Sequence, residues 1–228
     1  PSCLSNLNLA ANRMQDPAFR TRVDELLDGP SAKNFPPVTS VMQGIAETID
    51  MDAIAARVRK SLKGLRLAAY YGCLMSRPAE IMNFGDPENP TLMESMLAAC
   101  GAEMVDFPLK TACCGASFGI PERPMTARNS GRILDLATQL GVDAVIVACP
   151  LCQMNLDLRQ PQASKEMGTS FNLPVLYFTQ MMGIAFGLDH KDLGLGKLRV
   201  SADGLIRKLD ELRRESAAGS KAAEGGRS

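Results

Sequence analysis

The chain has 228 residues, 46% of them apolar, with 25 Lys plus Arg balanced by 25 Asp plus Glu. This length supports one or two compact domains with a real core, and the absence of any charge excess argues against nucleic acid or acidic lipid as a partner. Aromatics are 5% with no Trp, which removes base-stacking platforms, and no apolar run approaches the roughly 20 residues needed to span a bilayer. No basic-then-apolar leader opens the sequence, so a cytoplasmic location is expected. Seven cysteines in that setting read as metal ligands or redox thiols rather than as a disulfide framework.

The first stretch, Pro1-Ser2-Cys3-Leu4-Ser5-Asn6-Leu7-Asn8-Leu9, is echoed by Pro150-Leu151-Cys152-Gln153-Met154-Asn155-Leu156-Asp157-Leu158. Proline, cysteine, asparagine and two leucines coincide at a constant offset of 149 residues. The echo reads as a duplicated unit whose first copy is present only from its own C-x-x-C turn onward. It predicts a cysteine encoded immediately before Pro1; an initiator Met at that place in the gene would remove the reading.

From Ala10 to Leu62 the pattern is helical (Ile49, Ile54, Val58, Leu62) and carries no further cysteine. Leu65 to Tyr71 reads as a strand that ends at Gly72-Cys73. Thr91-x-x-Glu94 has the spacing of a capping box, and Met93, Met96, Leu97 and Cys100 then share one face of a helix closed by Gly101. A short strand, Glu103 to Phe107, leads through Lys110 to Cys113-Cys114-Gly115, and Gly115 to Pro124 reads as a loop. Ile133, Leu136, Ala137 and Leu140 mark a helix closed near Gly141. Ala144 to Ala148 is a continuous apolar run, as expected of a strand buried on both faces. Cys149-Pro150 breaks it, and a helix is expected from Asn155 to about Arg159. Val175 to Phe178 supplies another strand, with Thr179 as N-cap of a helix through Phe186. The tail after Gly196 ends in A-A-G-S-K-A-A-E-G-G-R-S, a composition that cannot bury a core and is expected to be disordered. Strand and helix alternate, which predicts an α/β fold with a parallel sheet, and sites in such sheets form outside the carboxyl ends of the strands.

Five of the seven cysteines then fall at strand ends: Cys73, the adjacent pair Cys113-Cys114, and Cys149 with Cys152, or C-x39-C-C-x34-C-x2-C. An adjacent pair makes a strained disulfide, but two neighbouring thiolates can grip one multi-iron centre from the same side. The pattern points to an iron–sulfur site. Two other readings stay open. C-P-L-C alone could be a thioredoxin-like redox pair, because thiolates at a helix start have lowered pKa. Zinc could take an all-cysteine site, since the single histidine, His190, disfavours mixed Cys/His ligation. Cys100 is expected to pack on an apolar helix face, the 13 methionines to fill core gaps, and His190 to be exposed. Lys110, Arg77 and Arg128 lie near the cysteine turns and could attract an anionic substrate, although surface solvation is the expected role of each.

The spacing Cys73, Cys113-Cys114-Gly115, Cys149-Pro150-Leu151-Cys152 resembles the CCG cysteine-rich domain. The text around it, Y-Y-G-C-L-M-S-R-P, F-G-D-P-E-N-P and V-A-C-P-L-C-Q-M-N-L-D, is similar to the B-subunit family of the CoB–CoM heterodisulfide reductases, bacterial members above all, from about Leu65 to Leu195. The resemblance implies a parallel-sheet CCG domain with helices on both faces, the second half of a duplicated, N-terminally truncated two-unit protein. Its divisions would be 1–63, a remnant of the first unit with connecting helices; 64–196, a complete CCG domain; and 197–228, a C-terminal helix or disordered tail. It implies that Cys73, Cys113, Cys114, Cys149 and Cys152 bind a noncubane 4Fe-4S cluster, with a second cluster in the untruncated protein. The implied activity is reductive cleavage of a small disulfide to two thiols, within a complex that includes an iron–sulfur electron-transfer subunit and a flavoprotein subunit. Some family members place a histidine directly after the first cysteine; Leu74 stands there and cannot deliver a proton. Two rival functions accompany this one: an electron-transfer subunit of an α-hydroxyacid oxidase-type complex, which also uses CCG domains, and a structural zinc module.

Overall fold

In the computed structural model, which describes residues 1–32 and 34–225, four helices precede the first strand. They are α1 (Ser2–Arg13), α2 (Pro17–Leu26), α3 (Val41–Thr48) and α4 (Met51–Ala56). There follow β1 (Arg66–Tyr70), α5 (Ala79–Met82), α6 (Leu92–Ala99), β2 (Glu103–Val105), α7 (Arg123–Gln139) and β3 (Ala144–Val147). The chain ends with α8 (Pro150–Asp157), α9 (Gln160–Met167), β4 (Val175–Tyr177), α10 (Phe178–Phe186) and α11 (Asp203–Gly225).

The strands form one parallel sheet in the order β2-β1-β3-β4. Each residue from Leu67 to Tyr70 and from Ala144 to Val147 is buried, because the two central strands are covered on both faces. The pleat sorts these residues between two cores. Leu67, Ala69, Tyr71, Ala144, Ile146 and Leu176 face one side and pack with Met42, Ile54, Met93, Leu97, Met181 and Leu205 from α3, α4, α6, α10 and α11. Ala68, Tyr70, Val145, Val147 and Val175 face the other and pack with Ile133, Leu134, Leu156 and Ala163 from α7, α8 and α9. The result is the expected α/β layering, with helices on both faces.

From β1 the chain goes to one side to form β2, then crosses back to place β3 on the other side of β1. The strand order therefore reverses between β1 and β3, and the crevice outside their carboxyl ends is the place where such folds bind ligands.

Several local expectations are corrected, each for a physical reason. Thr91 sits before α6 but makes no side-chain cap. Glu94, its expected box partner, instead accepts hydrogen bonds from the Tyr71 hydroxyl and from Lys110 Nζ. The helix expected from Asn155 begins earlier, at Pro150, because proline in the first helical position has no hydrogen bond to lose and a φ already suited to the turn. Thr179 lies inside α10 rather than capping it; Tyr177 precedes the helix, and its N–H donates to Gln180 Oε1 at 2.8 Å. The loop expected from Gly115 to Pro124 contains a 3-10 turn, Ala116–Phe118, and the start of α7. The tail expected to be disordered is helical through Gly225, and Leu205 and Leu209 of that helix are buried. Residues 226–228 lie outside the described residues.

Candidate metal centre

All three cysteine groups meet at the crevice between β1 and β3. Cys73 follows β1 after Gly72, whose φ of +70° turns the chain out of the sheet. Cys149 follows β3 as the residue preceding α8, and Cys152 lies in the first turn of that helix. The Cys113-Cys114 pair arrives on the loop after β2. Two sets of bonds hold that loop against the end of β1. The Lys110 carbonyl accepts the N–H groups of Tyr71 (2.8 Å) and Gly72 (3.0 Å), and the Tyr70 hydroxyl donates to the Ala112 carbonyl at 2.6 Å.

The glycines beside the cysteines are required by space. Gly115 has φ +78°, and a Cβ there would lie 3.0 Å from the Thr126 backbone. A Cβ on Gly72 would lie 2.7 Å from Cys152 Sγ. The chain thus brings Tyr70, Gly72 and Cys152 into one tight stack at the strand end.

Cys114, Cys149 and Cys152 are buried, Cys73 is half-buried and Cys113 is exposed, so the sulfurs form a floor with one open side. The sulfurs of Cys114 and Cys152 lie 3.6 Å apart. Cys152 holds the proton it shares with Cys114 and Cys149, which pushes its own thiol up. The partners move the opposite way: Cys114 is lowered by that contact, and Cys149 is pulled down to about 6 by Cys152 and by backbone N–H groups at the start of α8. Burial, with Cys113 beside it, pushes Cys73 up to about 11. Thiolate is the ligand form of cysteine, and two of the three buried sulfurs are biased towards it. The Gly115 N–H points at Cys113 Sγ at 3.3 Å, a further donor aimed at sulfur. Among the described residues, no three Cys, His, Asp or Glu side chains close around a point suited to a single metal ion. An all-sulfur donor set spread around one rim suits an iron–sulfur centre.

Three residues that the sequence reading did not place in the site hold the Cys-Cys-Gly turn from below. Thr126 Oγ1 donates to the Gly115 carbonyl (3.0 Å), Ser130 Oγ to the Cys114 carbonyl (3.2 Å), and Asn155 Nδ2 to the same Cys114 carbonyl (3.2 Å). Each of the three side chains is fully buried. Asn155 carried one usable signal: it recurs as Asn6 in the echoed segment.

The other singled-out residues lie elsewhere. Cys100 is buried in the core on the α6 face and is pushed up to about 11 by burial alone. Cys3 is exposed on α1, and His190 is exposed. Arg128 pairs with Glu166, and Arg77 bridges Glu88 and Thr111. Lys110 is neither solvated nor open to a substrate. It is 8% exposed, with Nζ donating to Glu94 (2.8 Å) and to the Pro90 carbonyl (3.1 Å). Removing one partner of a buried pair leaves the other charge uncompensated, so Lys110→Met is expected to destabilise the protein by about 3 kcal/mol. Urea unfolding of this variant beside Lys110→Met/Glu94→Gln checks it: the double variant should be the more stable of the two.

Comparison with known proteins agrees with this geometry. Residues 67–157 match the CCG cysteine-rich domain. Outside and within that segment the chain is similar to B-subunits of heterodisulfide reductases. The B-subunit of the ferredoxin:CoB–CoM heterodisulfide reductase of Methanosarcina mazei is 33% identical over 152 residues, covering 65% of this chain and 50% of that protein. The 8-methylmenaquinol:fumarate reductase membrane anchor subunit of Wolinella succinogenes is 33% identical over 168 residues, covering 74% of this chain and 58% of that one. The chain thus spans between half and three-fifths of these two relatives. A solved structure of a hypothetical protein from Helicobacter pylori superposes with a TM-score of 0.61 at 14% identity, covering 82% of this chain and 34% of the other, and bears on the fold alone. The similarity and the sulfur rim together support an iron–sulfur centre in this chain. Among the described residues, no helix is long and apolar enough to cross a membrane.

Proposed function

We propose that this protein is the iron–sulfur subunit of a heterodisulfide reductase-like complex. In it, Cys73, Cys113, Cys114, Cys149 and Cys152 hold a noncubane 4Fe-4S cluster, and a small disulfide is reduced there to two thiols. The observation that carries the reading is the number and placement of the sulfurs. Five cysteines share one rim, one more than a four-cysteine cluster uses. A structural zinc module would use four of these cysteines and leave the fifth without a role.

The overall reaction takes one disulfide, two electrons and two protons to two thiols. When bound, the cluster supplies electrons and a metal with high affinity for thiolate. The protein's own residues set the direction of approach: the floor is closed by Cys114, Cys149 and Cys152, and the open side lies at Cys113. Two side chains beside the cysteines are not proton donors. Leu74 cannot be one. Tyr70 is held neutral by burial and by the neighbouring cysteine sulfurs, and its proton is committed to the Ala112 carbonyl. Solvent at the open side supplies the protons.

Pro1, Cys3, Met75, Ala148, Pro150 and Phe178 line a cavity of about 290 Å³, so the start of α1 faces the C-x-x-C turn that its sequence echoes. This supports a second cluster site opposite the first in a duplicated protein, divided as 1–63, 64–196 and 197–228. The electrons would come through an iron–sulfur partner subunit fed by a flavoprotein.

A second reading has an observation of its own. The Wolinella relative is named for a quinol and fumarate, not for a disulfide. In that reading the centre relays electrons without breaking a sulfur–sulfur bond. The test is oxidation of a reduced viologen by the intact, cluster-loaded complex. Disulfide-dependent oxidation with release of two thiols per disulfide is the expected result. A complex that passes electrons to other acceptors and leaves every disulfide untouched would establish the relay instead.

A further inference from the structure

The CCG turn rests on three buried polar side chains, but only one of them touches a sulfur. Thr126 and Ser130, one helical turn apart on α7, donate to backbone carbonyls of the turn. Asn155 lies one turn beyond Cys152 on α8, so both project from the same helix face. Its Nδ2 carries two N–H groups. One is directed at the Cys114 carbonyl at 3.2 Å, and the same nitrogen lies 3.6 Å from Cys114 Sγ.

The other half of that amide is without a partner. Asn155 is fully buried, and its Oδ1 has no hydrogen bond. Rotating the amide by half a turn would set an oxygen against the Cys114 carbonyl, which is an acceptor, and give up both contacts to Cys114. The Cys114 contacts therefore fix the orientation of the amide. A buried amide with an idle carbonyl costs stability that a leucine of similar size would not, so its role lies in what the N–H groups do.

We propose that Asn155 is a positioning residue that directs an N–H at Cys114 Sγ and thereby sets the reduction potential of the iron–sulfur centre. This rests on the iron–sulfur reading above. An N–H directed at a ligand thiolate stabilises the more electron-rich, reduced state more than the oxidised one, and hydrogen bonds to ligand sulfurs are among the groups that set the potentials of such centres. Ser130 supplies the built-in comparison, since it secures the same peptide unit without reaching the sulfur.

The experiment is an EPR-monitored redox titration of the cluster-loaded protein with Asn155→Leu, Asn155→Asp and Ser130→Ala. Both Asn155 variants are expected to titrate at a more negative potential than the unaltered protein, and Ser130→Ala at the same potential with a lower thermal midpoint. Asn155 variants that titrate at the unaltered potential would overturn the proposal. If neither variant retains the centre, the unaltered protein labelled with 15N only at asparagine decides. A nitrogen hyperfine coupling to the reduced centre is expected, and its absence overturns the proposal. Failure of the unaltered protein to bind iron would strike the iron–sulfur reading itself, which keeps the two failures apart.

Discussion

Alanine at Cys114 or at Cys152 is expected to strip the iron–sulfur centre from the protein while leaving it folded. These two sulfurs are buried 3.6 Å apart at the centre of the rim, on two different elements. Losing either leaves the turn after β2 and the start of α8 without a shared ligand. The fold has other supports: one face of β1 and β3 packs into a core that contains none of the five cysteines, and the other rests on Ile133, Leu134, Leu156 and Ala163 as well as on Cys114, Cys149 and Cys152. Each substitution should cost about 1–2 kcal/mol, within the ordinary range for a buried point change. Iron should fall to background with far-ultraviolet circular dichroism unchanged, and Cys113→Ala and Cys149→Ala should also lose or degrade the centre. Cys100→Ser is the contrast. Its sulfur is in the core on the α6 face, among Met96 and Leu97. A hydroxyl there costs about 1–3 kcal/mol if unpaired, and iron content should not change. Equal iron loss from Cys100→Ser would show the ligand set to be wrong.

Gly72→Ala is expected to have the next largest effect, although it removes no sulfur. The residue holds φ +70°, which costs an L side chain about 1–2 kcal/mol. The added carbon would also lie 2.7 Å from Cys152 Sγ. That sulfur cannot retreat freely, because it stands in the first turn of α8 and in contact with Cys114. Relief must come from moving Cys73 or Cys152, and either shift opens the rim. The variant should fold, unfold at lower urea concentration than the unaltered protein, and take up markedly less iron under anaerobic reconstitution. Full iron uptake by Gly72→Ala would show that the rim is looser than the contacts indicate.

The sheet was legible wherever burial wrote itself as an apolar run. Leu67 to Tyr70 and Ala144 to Val147 read as strands because both faces are covered, and the cysteines after them read as a site because they stand at strand ends. The convergence of three groups on one crevice was expected from that rule. The reversal that creates the crevice was not legible, since it depends on which side of β1 each later strand joins. Pro150 was read only as the break after the β3 run, which does end there; that it also opens α8 was not read, although proline suits the first helical position. Lys110 looked like a surface charge, and only a partner 16 residues earlier, Glu94, makes its burial possible. Thr126, Ser130 and Asn155 escaped for the same reason. A buried polar side chain is recognised by what it bonds, and Asn155 meets Cys114 across 41 residues of sequence.

The central claim is that these five cysteines hold iron and sulfide. Metal and acid-labile sulfide analysis of protein prepared without oxygen, with Mössbauer spectra of the 57Fe-enriched form, tests it most directly. The account predicts iron and sulfide in comparable amounts, lost together on Cys114→Ala. Bound zinc without labile sulfide, or iron that survives the loss of Cys114 and Cys152 together, would contradict it.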